Sequence, residues 1–213
     1  LYERQTSGRG QVVDAAMVDG AASLASIFWG LQAAGQWREA RGTNLLDGGA
    51  PFYATYETAD GRWVALAALE PKFFAVLAAK LELPEVFVKR QYDRSQWPAM
   101  RDAIASAVRR RTRDAWCEVL EGSEACFAPV LSLAEAPQHP HAQARGAFVT
   151  VDGVTQPAAA PRFDRTPAAA PRAAPRVGQH TLDVLTQAGY DEAARQALLA
   201  AGVARQSTAG ASA

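Results

Sequence analysis

The stretch LDGGAPFYATYETADG, residues 46–61, decides how the chain folds. Two runs rich in aromatic and β-favourable side chains, FYATYET (52–58) and RWVALAAL (62–69), flank Asp60-Gly61. An Asp-Gly pair between such runs predicts a β-hairpin, because glycine reaches the positive φ that the turn needs. Ahead of the hairpin, the paired glycines of Asp47-Gly48-Gly49 permit close backbone approach, so their N–H groups can meet a carbonyl oxygen or a phosphate. A plain turn is the alternative. Behind it, Glu70 ends the apolar run and precedes Pro71, which opens the helical pattern PKFFAVLAAKLEL at the one position where a missing N–H costs nothing. An acid where a strand passes into a helix stands where α/β proteins place ligands. The alternative for Glu70 is an ordinary first-turn acid that complements the helix dipole. Tyr53 and Tyr56 read as hairpin packing.

Outward from this centre, LYERQTSGRG (1–10) reads as the last turns of a helix closing at Gly8 or Gly10. With Leu1 in first place, the chain is expected to begin inside a larger structure. Residues 11–31 predict a short strand followed by an apolar helix, with Met17, Leu24, Phe28 and Leu31 recurring at helical intervals and either buried or packed against a partner. Helices are predicted from Ser95, with Pro98 near its start, and from Thr112 to Gly122, where threonine caps and glycine terminates. CFAPVLS (126–132) reads as a short buried strand, and Ser132 with Glu135 as a capping box heading another helix. The Pro/Ala/Arg-rich segment 156–178 predicts an extended connector between domains. Helices at 181–188 and 191–201 and a disordered tail at 205–213 complete the chain, which has no internal repeat.

The composition excludes several functions. Lysine plus arginine and aspartate plus glutamate are 22 each, so no charge excess points to nucleic acid or an anionic membrane. No apolar run approaches the roughly 20 residues of a membrane span. Cys117 and Cys126 fit reduced cytoplasmic thiols acting as small apolar side chains. His139 and His141, with Arg145 nearby, suggest a metal or acid/base pair, but no third ligand is evident. His180 reads as a helix-start residue. The run RRRTR (109–113) predicts a solvated basic helix end, with a phosphate clamp as the alternative. No P-loop, GxGxxG, GxSxG or zinc pattern occurs.

Four segments, GRGQVVDAAMVDG (8–20), RGTNLLDGGAPFYATYETADGRWVALAALEPKFF (41–74), CFAPVLSLAEAPQHPHAQARGAF (126–148) and GQHTLDVLTQAGY (178–190), resemble in this order the C-terminal half of the α-methylacyl-CoA racemases. These belong to the family III CoA-transferase (CaiB/BaiF) superfamily, and the second segment looks like the racemase branch in particular. The resemblance implies an α/β fold, the C-terminal part of a two-domain subunit. Residues 1–11 would end the large domain's N-terminal part, 12–53 form a crossover helix and linker, 54–133 a small α+β domain and 134–177 a return linker. Residues 178–204 would pack as helices on the Rossmann-like large domain, and two such subunits would interlock as a homodimer.

The implied reaction is epimerisation of 2-methylacyl-CoA thioesters, in which an α-proton is removed and returned through an enolate. It needs no metal or redox cofactor; acyl-CoA is the substrate, with neither nucleic acid nor membrane as partner and a cytoplasmic setting. The family's catalytic histidine, in a GHD-type motif, and its catalytic aspartate both precede the segment matching residues 8–20. The chain alone is therefore expected to be inactive. By resemblance, Glu70 of the EP motif supports the catalytic histidine, while Asp47, Gly48, Gly49 and Tyr53 match the segment lining the acyl pocket. A CoA-transferase working through an aspartyl-CoA intermediate and a non-catalytic truncated dimerisation module are the alternatives.

Overall fold

The structure, a computed structural model, describes residues 1–207. The chain forms two compact units, Leu1–Leu131 and a second from Ser132 onward.

The first unit is built on the expected hairpin. Strands β1 (Tyr53–Glu57) and β2 (Trp63–Ala67) pair antiparallel with Tyr53 opposite Ala67 and Glu57 opposite Trp63. Gly61 turns at φ 72°, and the Asp60 carboxylate accepts from the Thr58 hydroxyl and from the Arg113 N–H (3.1 Å), which ties the turn to a later helix. Period-2 alternation buries Val64, Leu66 and Ala68 and leaves Trp63 and Ala67 outside. Helix α4 (Pro71–Leu81) buries Phe74, Leu77, Ala78 and Leu81 on one face. Helices α5 (Glu85–Lys89), α6 (Trp97–Val108) and α7 (Arg113–Leu120) come after it. Met100, Ile104 and Val108 of α6 and Trp116 and Leu120 of α7 share the core with α4 and the hairpin. Thr112 caps α7 by accepting from Ala115 N–H (3.2 Å), and the Trp116 indole donates to Val108 O (2.7 Å).

Several expectations for this unit change. Helix α1 (Tyr2–Ser7) closes at Gly8 as read, but residues 11–16 form no strand, and Val12 and Val13 have no neighbouring strand to pair with among the described residues. The apolar helix is broken into α2 (Met17–Leu24) and α3 (Ser26–Ala33), because Ala25 leaves the helical conformation and the Ser26 hydroxyl donates to Ser23 O (2.6 Å). Met17 and Leu24 stand 91% and 85% exposed, so the helix is not buried among the described residues. Strand β3 (Phe127–Pro129) joins β2 as a half-buried edge, the one place where a proline fits a sheet. The basic run Arg109–Arg113 is exposed over residues 109–112 as read, with Arg109 paired to Glu57 and Arg110 to Glu82 (2.9 Å each) and Arg111 over the Trp116 ring; Arg113 departs from the reading, buried with its Nη1 donating to Val130 O (3.0 Å).

In the second unit, Ser132 and Glu135 make the reciprocal capping box, with Glu135 Oε2 accepting from Ser132 N–H (2.9 Å) and Ser132 Oγ from Glu135 N–H (3.2 Å). Pro137 and Pro140 divide the segment after the box into a 3₁₀ turn (Ala136–Gln138) and the short α8 (Pro140–Ala144). A hairpin of β4 (Phe148–Val151) and β5 (Val154–Pro157) turns at Asp152 (φ 50°) and Gly153 (φ 77°). Residues 158–180 hold neither helix nor strand. Helices α9 (Thr181–Gln187) and α10 (Glu192–Ala200) then form, the second capped by Asp191. Of the tail expected from 205, Gln206 donates to Gln179 O (2.9 Å) and accepts from Leu182 N–H (3.0 Å), and Ser207 N–H bonds Gly178 O (2.9 Å). Residues 208–213 lie outside the described residues. No helix of the described residues is long and apolar enough to cross a membrane.

Tyr56 gives the first unit a pH signature. Its hydroxyl donates to Pro51 O (2.6 Å), and burial, opposed by Arg101, pushes its pKa from 10.0 to about 12. The folded pKa lies above the unfolded one, so this contribution is complete below pH 10 and lost as pH climbs towards 12. In urea unfolding, Tyr56→Phe should cost about 1 kcal/mol near neutral pH, and its deficit should narrow at strongly alkaline pH.

Candidate functional site

The glycine loop is held by a buried amide. Asn44, 1% exposed, accepts from Arg38 N–H (2.8 Å) and donates through Nδ2 to Arg38 O (2.9 Å) and Asp47 Oδ2 (2.8 Å). Asp47 Oδ1 accepts from Asn44 N–H (2.8 Å) and Gly49 N–H (3.1 Å). Burial acts to raise the Asp47 pKa, but the bonds from Asn44, Gly49 and Thr43 prevail and hold it below the ordinary 3.8. The loop's carbonyls are engaged too, since Arg101 Nη2 donates to Gly48 O (2.6 Å) and Gly49 O (2.8 Å). The Asp47 carboxylate and the Gly49 N–H thus bond to each other, and the Gly49 donor expected to face a ligand is occupied within the loop. The loop is thus a fixed wall, held by bonds to its own carboxylate and to Arg101.

That wall leads into the open end of the hairpin. Tyr53 is half-buried against the core, its N–H on Ala50 O (3.0 Å), and Ala68 N–H reaches back to Phe52 O (3.0 Å). Phe52, fully buried, meets the rings of Phe74, Tyr92 and Trp97 at 5.4, 5.5 and 5.9 Å. These contacts set residues 49–53 beside 67–70. Glu70 occupies the cap position of α4 rather than its first turn, with φ −72° and ψ 139°, and its carbonyl accepts from Phe73 and Phe74 N–H (3.0 Å each). Its exposed carboxylate makes no capping bond to the helix, so it is open to a partner from outside.

Cys126 is a neighbour that sequence reasoning did not place here. Its carbonyl accepts from Ala67 N–H (2.9 Å) and its backbone sits at φ 49°. Burial first, then the Glu70 and Glu124 carboxylates, push its thiol pKa up, and burial with Glu121 takes Cys117 to about 11. Neither thiol carries the thiolate that nucleophilic chemistry needs at neutral pH. A groove of about 400 Å³ is walled by Trp37, Leu45, Leu46, Tyr92 and Trp97, and of the residues around the glycine loop it takes in Leu45 and Leu46 and not Glu70, Tyr53 or Cys126.

The histidines are in the second unit and serve its backbone or surface. His139 Nδ1 accepts from His141 N–H (3.3 Å) as the cap of α8, and His180 faces Asp183 (3.5 Å). Among the described residues, no group of three or more His, Cys, Asp or Glu can hold a metal ion.

Gly49 has no room for a side chain: a Cβ there would stand 2.4 Å from Asn44 O and 2.6 Å from Asn44 N. Gly49→Ala should cost roughly 1–3 kcal/mol in chemical denaturation through forced backbone movement. Gly20→Ala, in open helix, should be neutral or stabilising.

The family description CoA-transferase family III matches residues 1–181. The chain is 43% identical over 195 residues to mouse α-methylacyl-CoA racemase (90% of this chain, 51% of that protein). It is 39% identical over 192 residues to the human α-methylacyl-CoA racemase (89% and 50%). The chain thus spans about half the length of the curated relatives it matches. Among solved structures, a CaiB/BaiF family protein from Brucella suis superimposes with a TM-score of 0.64 at 18% identity, covering 87% of this chain and 50% of that one, which shows a shared fold. On these grounds the chain belongs to CoA-transferase family III.

Proposed function

We propose that this chain forms one wall of a site that epimerises 2-methylacyl-CoA thioesters. The observation that supports the reading is the open end of the hairpin, where Tyr53 pairs with Ala67 and Phe52 O accepts from Ala68 N–H, two residues before the exposed Glu70 with its carboxylate free of any capping bond. The similarity to two α-methylacyl-CoA racemases supports it.

Epimerisation at the carbon next to a thioester takes a base on one face, an acid on the other and donors for the enolate oxygen. The thioester acidifies the α-proton, so the step needs no electron carrier. In this reading Tyr53 and the loop carrying Asp47, Gly48 and Gly49 shape the acyl pocket, and Glu70 accepts a hydrogen bond from the catalytic base and orients it. The base, its opposing acid and most of the CoA contacts belong to the part of the relatives that this chain does not span. The exposed apolar side chains of residues 12–29 then gain cover from that part and from a second, interlocked subunit. A cytoplasmic setting fits two free thiols.

The family description itself favours a second reading, acyl transfer between CoA and a carboxylic acid through an aspartyl-CoA intermediate. One experiment separates the two. Deuterium uptake at the α-carbon of 2-methylacyl-CoA is followed by NMR with the chain alone and with a version extended upstream through the histidine motif. The account expects exchange with the extended protein only and no thioester transfer to added carboxylic acids. Exchange by this chain alone would overturn the placement of the base, and transfer without exchange would favour the second reading. Within the extended protein, Glu70→Gln should lower kcat at least tenfold with KM little changed, as for a group that orients a base and touches no substrate.

A further inference from the structure

Because the Glu70 side chain makes no bond to its own helix, its position is set by the backbone that carries it. That backbone leaves β2 through a three-residue turn in which Leu69 N–H bonds Ala67 O (2.9 Å). The carbonyls of residues 68 and 69 are met from more than twenty residues away. Gln91 Nε2 donates to Ala68 O (3.1 Å) and Leu69 O (2.8 Å), and the Tyr92 hydroxyl also donates to Leu69 O. Gln91 is itself anchored, since the Trp97 indole donates to its carbonyl (2.9 Å), and it is only 3% exposed.

Both targets of the Gln91 amide are acceptors, which fixes its orientation: the NH₂ faces them, and Oε1 is left buried without a hydrogen-bond partner. A buried unpaired acceptor is unfavourable. Its presence here points to the work of the donor end.

We propose that Gln91 is a positioning residue for Glu70, holding the turn that aims the carboxylate at the catalytic base. The proposal rests on the reading of Glu70 given above. Small displacements in such a constellation reduce turnover steeply, so the NH₂ of Gln91 acts on catalysis without touching substrate.

The test uses the extended protein and the variants Gln91→Met, Glu70→Gln and their combination. Gln91→Met should lower kcat roughly tenfold with KM changed less than about twofold, and the double variant should be no slower than Glu70→Gln alone. Losses that multiply, or a KM effect equal to the kcat effect, would overturn the proposal. If Glu70→Gln alone leaves kcat unchanged, the role assigned to Glu70 fails. Amide exchange then judges Gln91 by itself: Gln91→Met should speed exchange at Leu69 but not at Tyr56, and unchanged rates would refute the hold on the turn. Should Gln91→Met not fold, Gln91→Glu keeps the length and loses the donor while ionised. Its kcat should recover as pH falls and the carboxyl regains a proton; a deficit flat in pH would count against the proposal.

Discussion

The antiparallel register between β1 and β2 is the constraint on which the rest of this molecule depends. Tyr53 opposite Ala67 determines that the chain entering the hairpin and the chain leaving it meet at one end, while the Asp60 turn is fastened to α7 at the other. A slip of one residue would turn Val64 and Leu66 out of the core and Trp63 into it. The same slip would shift Glu70 relative to Phe52 and Tyr53. Register therefore links core packing and site geometry, and neither can change alone.

Around this end the structure favours rigidity over free polar groups. Asn44 and Asp47 engage each other, and together with Arg101 they engage the backbone of residues 38–49, while Gln91 and Tyr92 engage the backbone of residues 68–69. Glu70 is the side chain left facing outward without a capping role. A carboxylate held by its surroundings and not by its own bonds suits a group that orients another catalyst.

The features legible in the sequence are those written within a few residues. The Asp60-Gly61 turn, the proline opening α4, the Thr112 cap and the Ser132–Glu135 box each depend on neighbours in the chain, and each forms. Long-range pairings left no such trace. Asn44 and Gln91 look like any surface amides until the fold brings their backbone partners to them. The basic run 109–112 is exposed as read, but the burial of Arg113 was not legible because its partner Val130 O lies 17 residues away. The strand expected at 11–16 failed for a related reason, since a valine pair needs a neighbouring strand. The hairpin at β4 and β5 did carry an Asp-Gly signal, between strands of four residues each, too short for alternation to stand out. For the site, the positions of Glu70 and Tyr53 at a strand end were readable, whereas Cys126 beside them was not.

The most direct test of the central claim is a crystal structure of the upstream-extended protein with a non-epimerisable 2-methylacyl-CoA analogue bound. The account predicts the acyl chain lying against Leu46 and Tyr53, with the Glu70 carboxylate accepting a hydrogen bond from the base that faces the α-carbon. A thioester bound with its α-carbon remote from residues 46–70, or a Glu70 carboxylate turned to solvent in that complex, would contradict it.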